Sequence, residues 1–484
     1  MPDELAVAAA SLLRRGYRLA LAGAHDGPGP LRVVYLFTSG PPDRRVELHV
    51  ELEGDEPAIP SLAALSFPAS RFEREMRDLF GIEPLDHPMA RRLVLHQHWP
   101  SDWHPMRHDA GRPPAMVDDA RPYPFVEVEG RGVYEIPVGP VHAGVIEPGH
   151  FRFSVVGETI VRMTARLWFT HKGMERLFEG RDVRGGIELA ERVSGDSAVG
   201  HGLTYCLAVE EACGVDAPER AGELRAMLVE MERLYNHVTD LGALCNDVGF
   251  GLANARALIV RERLLRLNAE LTGHRLLRGG VVVGGAQLRR LPKAAELDEI
   301  GERVAEIVDL ATRSSIVMDR FAGTAVLGSR EAEEIGVLGV VARASGLELD
   351  ARVAHPFIEL PAGFVPARRH TGDVLARFQL RCDEVVTSLS LLTGLVARGG
   401  PLRAIGAMPG QRGAGSGSGI VEGWRGSIVH RVEIDEAARL TRVKIVDPSF
   451  LTWPALAVAL VDTIVPDFPL ANKSFNLSYA GNDL

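Results

Sequence analysis

Two short segments hold the residues whose types and placement could do chemistry. Arg192-Val-Ser-Gly-Asp-Ser197 and Asp447-Pro-Ser-Phe-Leu-Thr452 each bring two hydroxyl side chains near a charged one. Ser194, Ser197, Ser449 and Thr452 are suited either to line a pocket for a small polar ligand or to pack as hydrogen-bonded hydroxyls. Arg192 and Asp447 flank them, and a buried ion pair between the two is expected. A neutral hydroxyl is a far poorer ligand for a soft transition metal than a thiolate, so this set predicts no bound metal.

Other candidates surround these segments. His142 and His150 lie in the stretch Gly139–His150, with Glu147, Gly144 and Gly149 supplying charge and flexibility, and an imidazole can give or take a proton near neutral pH. Glu422 precedes Arg425 by three residues and is suited to move protons or to hold that arginine. The run Gly413–Gly419 superficially suggests a phosphate loop, but the residues after it read as a strand rather than a helix N-terminus, so dinucleotide binding is not expected. His96, His98, His104 and His108 match no standard zinc spacing. Glu230, Arg233 and His237 share one helix face, as a buried polar ladder, an interface or a solvated stripe. Cys206, Cys213, Cys245 and Cys382 form no C-x-x-C pair, so an iron–sulfur cluster held by this chain alone is not expected.

The elements that must position these residues are legible as patterns. A helix over Leu5–Arg14, strands over Arg32–Phe37 and Val46–Glu51, and a helix over Pro60–Phe80 ending near Gly81 give a small α/β unit at residues 1–110. The Pro-rich residues 111–133 have linker composition. From 134 to 484 the chain reads as mainly helical with small sheets, hence α+β overall. Strands are predicted at Tyr134–Val138 and Phe151–Val156. Long helices are predicted at Ala217–Leu244, capped by Asp216 with Pro218 in its first turn, and at Arg256–Thr272, Ala294–Thr312 and Asp373–Val396. From Gly410 the chain turns glycine-rich, then strand-like over Gly426–Ile434 and Ala438–Ile445, before a final helix and an irregular tail.

Composition narrows the function. With 46% hydrophobic and 24% charged residues the chain is ordinary globular protein, and its net charge of −10 argues against a nucleic-acid partner. Of 54 basic residues only Lys172, Lys293, Lys444 and Lys473 are lysine, which reads as genome composition. No signal peptide is evident, and no apolar run reaches the roughly 18 residues of a membrane span.

Longer motifs carry a resemblance. Arg71-Phe-Glu-Arg-Glu-Met-Arg-Asp-Leu-Phe-Gly-Ile82, His87-Pro, Arg91-Arg92, Trp99-Pro and Pro105-Met-Arg-His-Asp109 resemble the signature of the 30-kDa subunit of respiratory complex I. Gly139-Pro-Val-His-Ala-Gly144, Thr170-His-Lys-Gly-Met-Glu175, Glu191-Arg192, Glu230-Met-Glu-Arg-Leu-Tyr-Asn-His237, Arg261-Glu262, Thr272-Gly-His-Arg275 and Gly279-Gly280 resemble its 49-kDa subunit and the large subunits of group 4 energy-converting hydrogenases. A fusion of both modules is similar to the formate hydrogenlyase type. In nickel–iron hydrogenases, R-x-C-G-x-C and D-P-C-x-x-C runs hold the metal pair; here Ser194, Ser197, Ser449 and Thr452 stand at those positions. The 49-kDa quinone pattern R-L-D-Y is not restored either, since Arg192-Val-Ser-Gly195 puts Ser and Gly where Asp and Tyr would lie.

The resemblance implies an electron-transfer subunit of a complex-I-like oxidoreductase without hydrogenase activity. Its catalytic set would be His142, His150, Arg192 and Glu422, with Ser194, Ser197, Asp447, Ser449 and Thr452 at a cofactor pocket that takes a quinone or other acceptor. The implied partners are an iron–sulfur small subunit that holds the cluster, a ferredoxin-like subunit and membrane subunits with antiporter-like pumps. The implied location is cytoplasmic, peripheral on the inner face of the cell membrane. The alternatives are a non-catalytic scaffold or coupling subunit, and an active hydrogenase using oxygen ligands.

Overall fold

The computed structural model describes residues 2–27, 29–54, 56–117, 123–144, 146–407 and 413–484. Residues 118–122 of the Pro-rich stretch, and Gly410 where the glycine-rich run was expected to begin, lie outside them.

Helix α1 (Pro2–Arg14) precedes an antiparallel meander of β1 (Arg18–His25), β2 (Arg32–Ser39) and β3 (Arg44–Glu51). Strand β1 was not expected. Its Leu-Ala-Leu-Ala-Gly-Ala core is buried on both faces, so the sequence shows no polar alternation. Helix α2 is shorter than predicted, Phe67–Phe80: Pro60 ends a strand, Ala58–Pro60, that pairs in parallel with Glu83–Leu85, and residues 61–66 form a turn before the helix. Pro68 sits in its first turn, where no N–H is needed, and Gly81 ends it at φ 72°.

After the Pro-rich stretch, β4 (Val133–Val138), β5 (His150–Val156) and β6 (Thr159–Arg166) form a second antiparallel sheet. The helical body follows: α3 (Ala198–Cys213), α4 (Glu219–Asp247), α5 (Gly251–Thr272), α6 (Ala294–Thr312) and α7 (Val374–Ala397). Helix α4 starts two residues later than predicted. Pro218 occupies its N-cap position and Asp216 caps nothing, since a proline disfavours helical geometry at the residue before it. Helix α6 has the bounds read from the sequence, and Asp373 caps α7 through Ala376 N. The last sheet is β7 (Gly415–Glu422), β8 (Ser427–Ile434) and β9 (Leu440–Val446), again antiparallel. The tail is ordered rather than irregular: α8 (Pro448–Ala459) is followed by α9 (Phe468–Phe475) and α10 (Tyr479–Asp483), and Leu484 itself is buried.

One hydrophobic core draws on both sides of the Pro-rich stretch, joining Leu36 and Phe72 with Phe151, Phe450 and Tyr479; a second lies among α3 to α7. Charge ties the same seam. Lys444 of β9 bonds both Glu75 oxygens of α2 at 2.9 and 2.8 Å and Glu175 at 3.0 Å, and Arg442 adds a 2.6 Å bond to Glu175. Arg71 of α2 reaches Asn482 of α10 at 3.1 Å. The N-terminal helix α2 therefore buttresses the elements that carry Ser449 and the C-terminal tail.

Candidate functional site

The candidate residues are placed by an unusually close approach of α3 to β7. A Cβ at Gly415, Gly417 or Gly419 would collide with the carbonyls of Ala212, Ala208 and Thr204 respectively. Every second strand residue thus faces every fourth helix residue, and only glycine leaves room for it. The glycine-rich run is a packing surface, not a phosphate cradle. It sets the start of α3 beside the end of β7, so that Ser197 meets Trp424 and Arg425.

The first amides of α3 are capped from another helix. Val199 N and Gly200 N donate to Glu232 at 2.7 and 2.9 Å, which leaves Ser197 Oγ to accept from Trp424 Nε1 at 3.1 Å and Arg425 Nη1 at 3.3 Å. Ser194, Ser197, Ser449 and Thr452 are all buried, from 0 to 3% exposed. Two of them meet through a residue not singled out in the sequence. Ser478 bonds Ser194 Oγ at 2.8 Å and donates its backbone N–H to Ser449 Oγ at 2.9 Å, and Ser194 also donates to Asp196 at 2.9 Å. Thr452, one turn along α8, points elsewhere and accepts from Leu338 N at 3.3 Å. The only signal for Ser478 was a serine in a tail without periodicity.

The Arg192–Asp447 ion pair does not form. Arg192 lies at the surface, bonded to Glu188 O, whereas Asp447 is 1% exposed. Asp447 instead caps α8 through Ser449 N at 2.7 Å and meets His201 Nε2 at 3.0 Å; His201 Nδ1 then meets His430 Nε2 at 3.0 Å. Burial alone would raise the Asp447 pKa, but the hydrogen bond and charge of His201 outweigh it and the net shift is downward. His201 donates its Nε2–H to Asp447, and either ring is able to supply the proton of the His201 Nδ1–His430 Nε2 contact. Burial, then His201, holds His430 well below the usual imidazole range.

A depressed carboxyl pKa adds stability above its unfolded value, and that stability is lost as pH falls through the folded value. The Asp447→Asn variant is therefore expected to lose stability at neutral pH but to show a flatter acid limb below about pH 4. Far-UV circular dichroism across pH checks this; an acid limb identical to that of the parent chain refutes it.

Next to these hydroxyls opens a cleft of about 570 Å³, lined among others by His142, Glu147, Ser194, Asp196, Arg425 and Ser478. Arg425 and Asp196 form a bidentate pair on its wall, at 2.7 and 2.6 Å, and Arg425 stacks on Trp424. Burial pushes the Asp196 pKa up, but Arg425 more than offsets this and keeps it below the usual carboxylate range. His142 Nε2 bonds Gly149 O at 2.7 Å, and His150 Nδ1 bonds Gly139 O at 3.1 Å, so the two histidines close the ends of their loop. His142 lines the cleft, with its Nε2–H given to Gly149 O. His150 is not among the lining residues.

Glu422 does not hold Arg425. It accepts from Arg343 at 2.8 Å, Ala351 N at 3.0 Å and Ser427 at 2.7 Å, and burial together with neighbouring Asp350 raises its pKa. It belongs to a buried network around Glu384, which is bonded by His237 at 2.7 Å, Arg343 at 2.6 Å and Arg352 at 3.0 Å, with Arg233 at 3.6 Å. Burial opposes ionisation of Glu384, but the arginines outweigh it and drive its pKa well below normal. Glu230, Arg233 and His237 are thus a buried ladder, not a solvated stripe. His96, His104 and His108 turn to separate partners, Leu167 O, Asp78 O and Asp26, and make no shared metal site.

This architecture and site define a class, and comparison with known proteins agrees. Residues 2–114 match the family model for the 30 Kd subunit of respiratory-chain NADH dehydrogenase, 247–402 that of the 49 Kd subunit, and 172–245 that of nickel-dependent hydrogenase. The chain is 32% identical over 460 residues to formate hydrogenlyase subunit 5 of Escherichia coli (strain K12), covering 90% of this chain and 79% of that protein. It is 31% identical over 444 residues to hydrogenase-4 component G of the same organism, covering 89% and 77%. It is 27% identical over 415 residues to the fused C/D component of the NADH-quinone oxidoreductase of Phocaeicola vulgatus, covering 79% of each. Among solved structures, a chain of the membrane-bound sulfane sulfur reductase, an archaeal respiratory membrane complex, superposes with a TM-score of 0.66 at 26% identity, covering 73% of this chain and 99% of that one. The chain belongs to the family of fused 30-kDa/49-kDa subunits of complex-I-like oxidoreductases that includes formate hydrogenlyase subunit 5.

Proposed function

We propose that this chain is the large subunit of a membrane-associated oxidoreductase in which the cleft beside Ser194, Asp196 and Arg425 receives a small carbonyl-bearing acceptor such as a quinone. Electrons would arrive from a cluster in an iron–sulfur small subunit, with a ferredoxin-like subunit upstream and antiporter-like membrane subunits below. No helix among the described residues is long and apolar enough to cross a membrane, so attachment to the inner face of the cell membrane would run through those partners.

The observation that supports this reading is the replacement of soft donors by buried hydroxyls already engaged in hydrogen bonds. Ser194 Oγ bonds Ser478 Oγ and Asp196, and Ser449 Oγ accepts from the Ser478 backbone N–H, a donor set that does not fit nickel. Arg425, held bidentately by Asp196, lies with that partner on the wall of an open cleft, where the pair would orient a bound polar acceptor.

The purified complex is expected to contain no stoichiometric nickel and to evolve no hydrogen; metal analysis showing one nickel per chain refutes this. Arg425→Gln is expected to lower electron transfer about 100-fold with the complex assembled, the loss typical of one positioned donor. The hydrogen-bonded, buried state of these hydroxyls also favours a second reading, a closed remnant in a scaffold subunit. Turnover unchanged in both Arg425→Gln and His142→Ala would establish that reading instead.

A further inference from the structure

A second cavity, of about 280 Å³, lies between α4, α7 and the segment that follows Arg352. It is separate from the cleft and plays no part in the proposed reaction. Its walls are apolar, built from Val229, Phe357, Ile358, Leu391 and Leu395, and its size is near the lower end of small-molecule pockets, about 300 Å³.

Its polar residues include Glu230 and Arg352, which face each other as an ion pair too long for a hydrogen bond. Glu230 Oε2 accepts from Arg233 Nε at 3.1 Å and Ser388 Oγ at 2.5 Å, whereas Oε1 has Arg352 Nη1 only at 3.7 Å, beyond a hydrogen bond. Arg352 is 7% exposed; its Nε and Nη2 are used by Asp350 and Glu384, and Nη1 makes no hydrogen bond. Arg352 Nη1, buried and without a hydrogen bond, thus lies 3.7 Å from Glu230 Oε1, and one group able to donate and accept would bond both. The remaining charged residues of the lining, Glu359, Glu422 and Arg398, leave three carboxyl groups against two guanidinium groups, and burial raises the Glu422 pKa, so no strong net charge selects an anion or a cation.

We propose that this cavity binds a neutral amphipathic small molecule, an apolar chain or ring with a single hydroxyl or primary amide that bridges Glu230 and Arg352. A water would close the gap too but would make no use of the apolar walls.

The test is isothermal titration of the full-length chain with decanol, decanamide, decanoate and decyltrimethylammonium. Decanol and decanamide are expected to bind at least about tenfold more tightly than the two charged probes. Gly394 lines the cavity on α7 and has nothing within 4 Å of an added Cβ, so Gly394→Phe adds bulk at this wall without a clash. That variant is expected to keep the parent melting temperature and to lose decanol binding; Leu391→Trp, one turn away, serves the same purpose should Gly394→Phe fail to fold. Equal binding of all four probes, undiminished binding by a folded cavity-filled variant, or no binding of decanol and decanamide overturns the proposal.

Discussion

Replacement of Gly419 by valine is expected to abolish folding. The added Cβ would drive into the carbonyl of Thr204, and that atom belongs to helix backbone already held along α3 by the parallel contacts at Gly415 and Gly417. Neither partner is the loose end of a side chain, so relief requires α3 to lift off β7. Lifting it would separate Ser197 from Trp424 and Arg425 and expose the second core. A loss above about 4 kcal/mol is expected, against a total stability of about 5–15 kcal/mol for a typical domain. Ser416→Val on the exposed, opposite side of the same strand is the control and should fold normally. Soluble yield and thermal melting decide the matter; a Gly419→Val protein that melts with the parent chain would refute the packing account.

The second large effect is expected at Glu384. It is fully buried, and its carboxylate is shared by Arg343, Arg352 and His237, with Arg233 close by. Truncation to alanine leaves three buried guanidinium groups short of one counter-charge, a situation that costs about 3–5 kcal/mol. Because attraction from the arginines drives the Glu384 pKa well below its unfolded value, its contribution is present above that unfolded value and fades only in strong acid. Urea unfolding at neutral pH should show a lower midpoint with an unchanged slope for Glu384→Ala. A loss under about 1 kcal/mol would mean that water or rearranged carboxylates compensate the arginines.

The two predictions rest on features of very different legibility. The glycines were visible as a run, but a run of glycines in a sequence does not say what approaches it. Helix α3 opposite β7 turned a superficial phosphate motif into a packing groove. The Glu384 network was half visible, since Glu230, Arg233 and His237 share a face by helical spacing alone. Their partners on α7 and near residues 343–352 carried no local signal.

By itself the sequence determined the fused architecture, the long helices, the α2 stop at Gly81 and the loss of thiolates from the segments at 192–197 and 447–452. These depend on local periodicity, capping chemistry and residue type, all of which act within a few positions of the chain. Only the tertiary structure decided which charges meet. Asp447 pairs with His201, 246 residues away, rather than with Arg192; Arg425 pairs with Asp196 rather than with Glu422; and Ser478 from the tail bridges Ser194 and Ser449. Such pairings follow from how whole elements pack, and a buried polar group takes whichever partner that packing brings within about 3 Å.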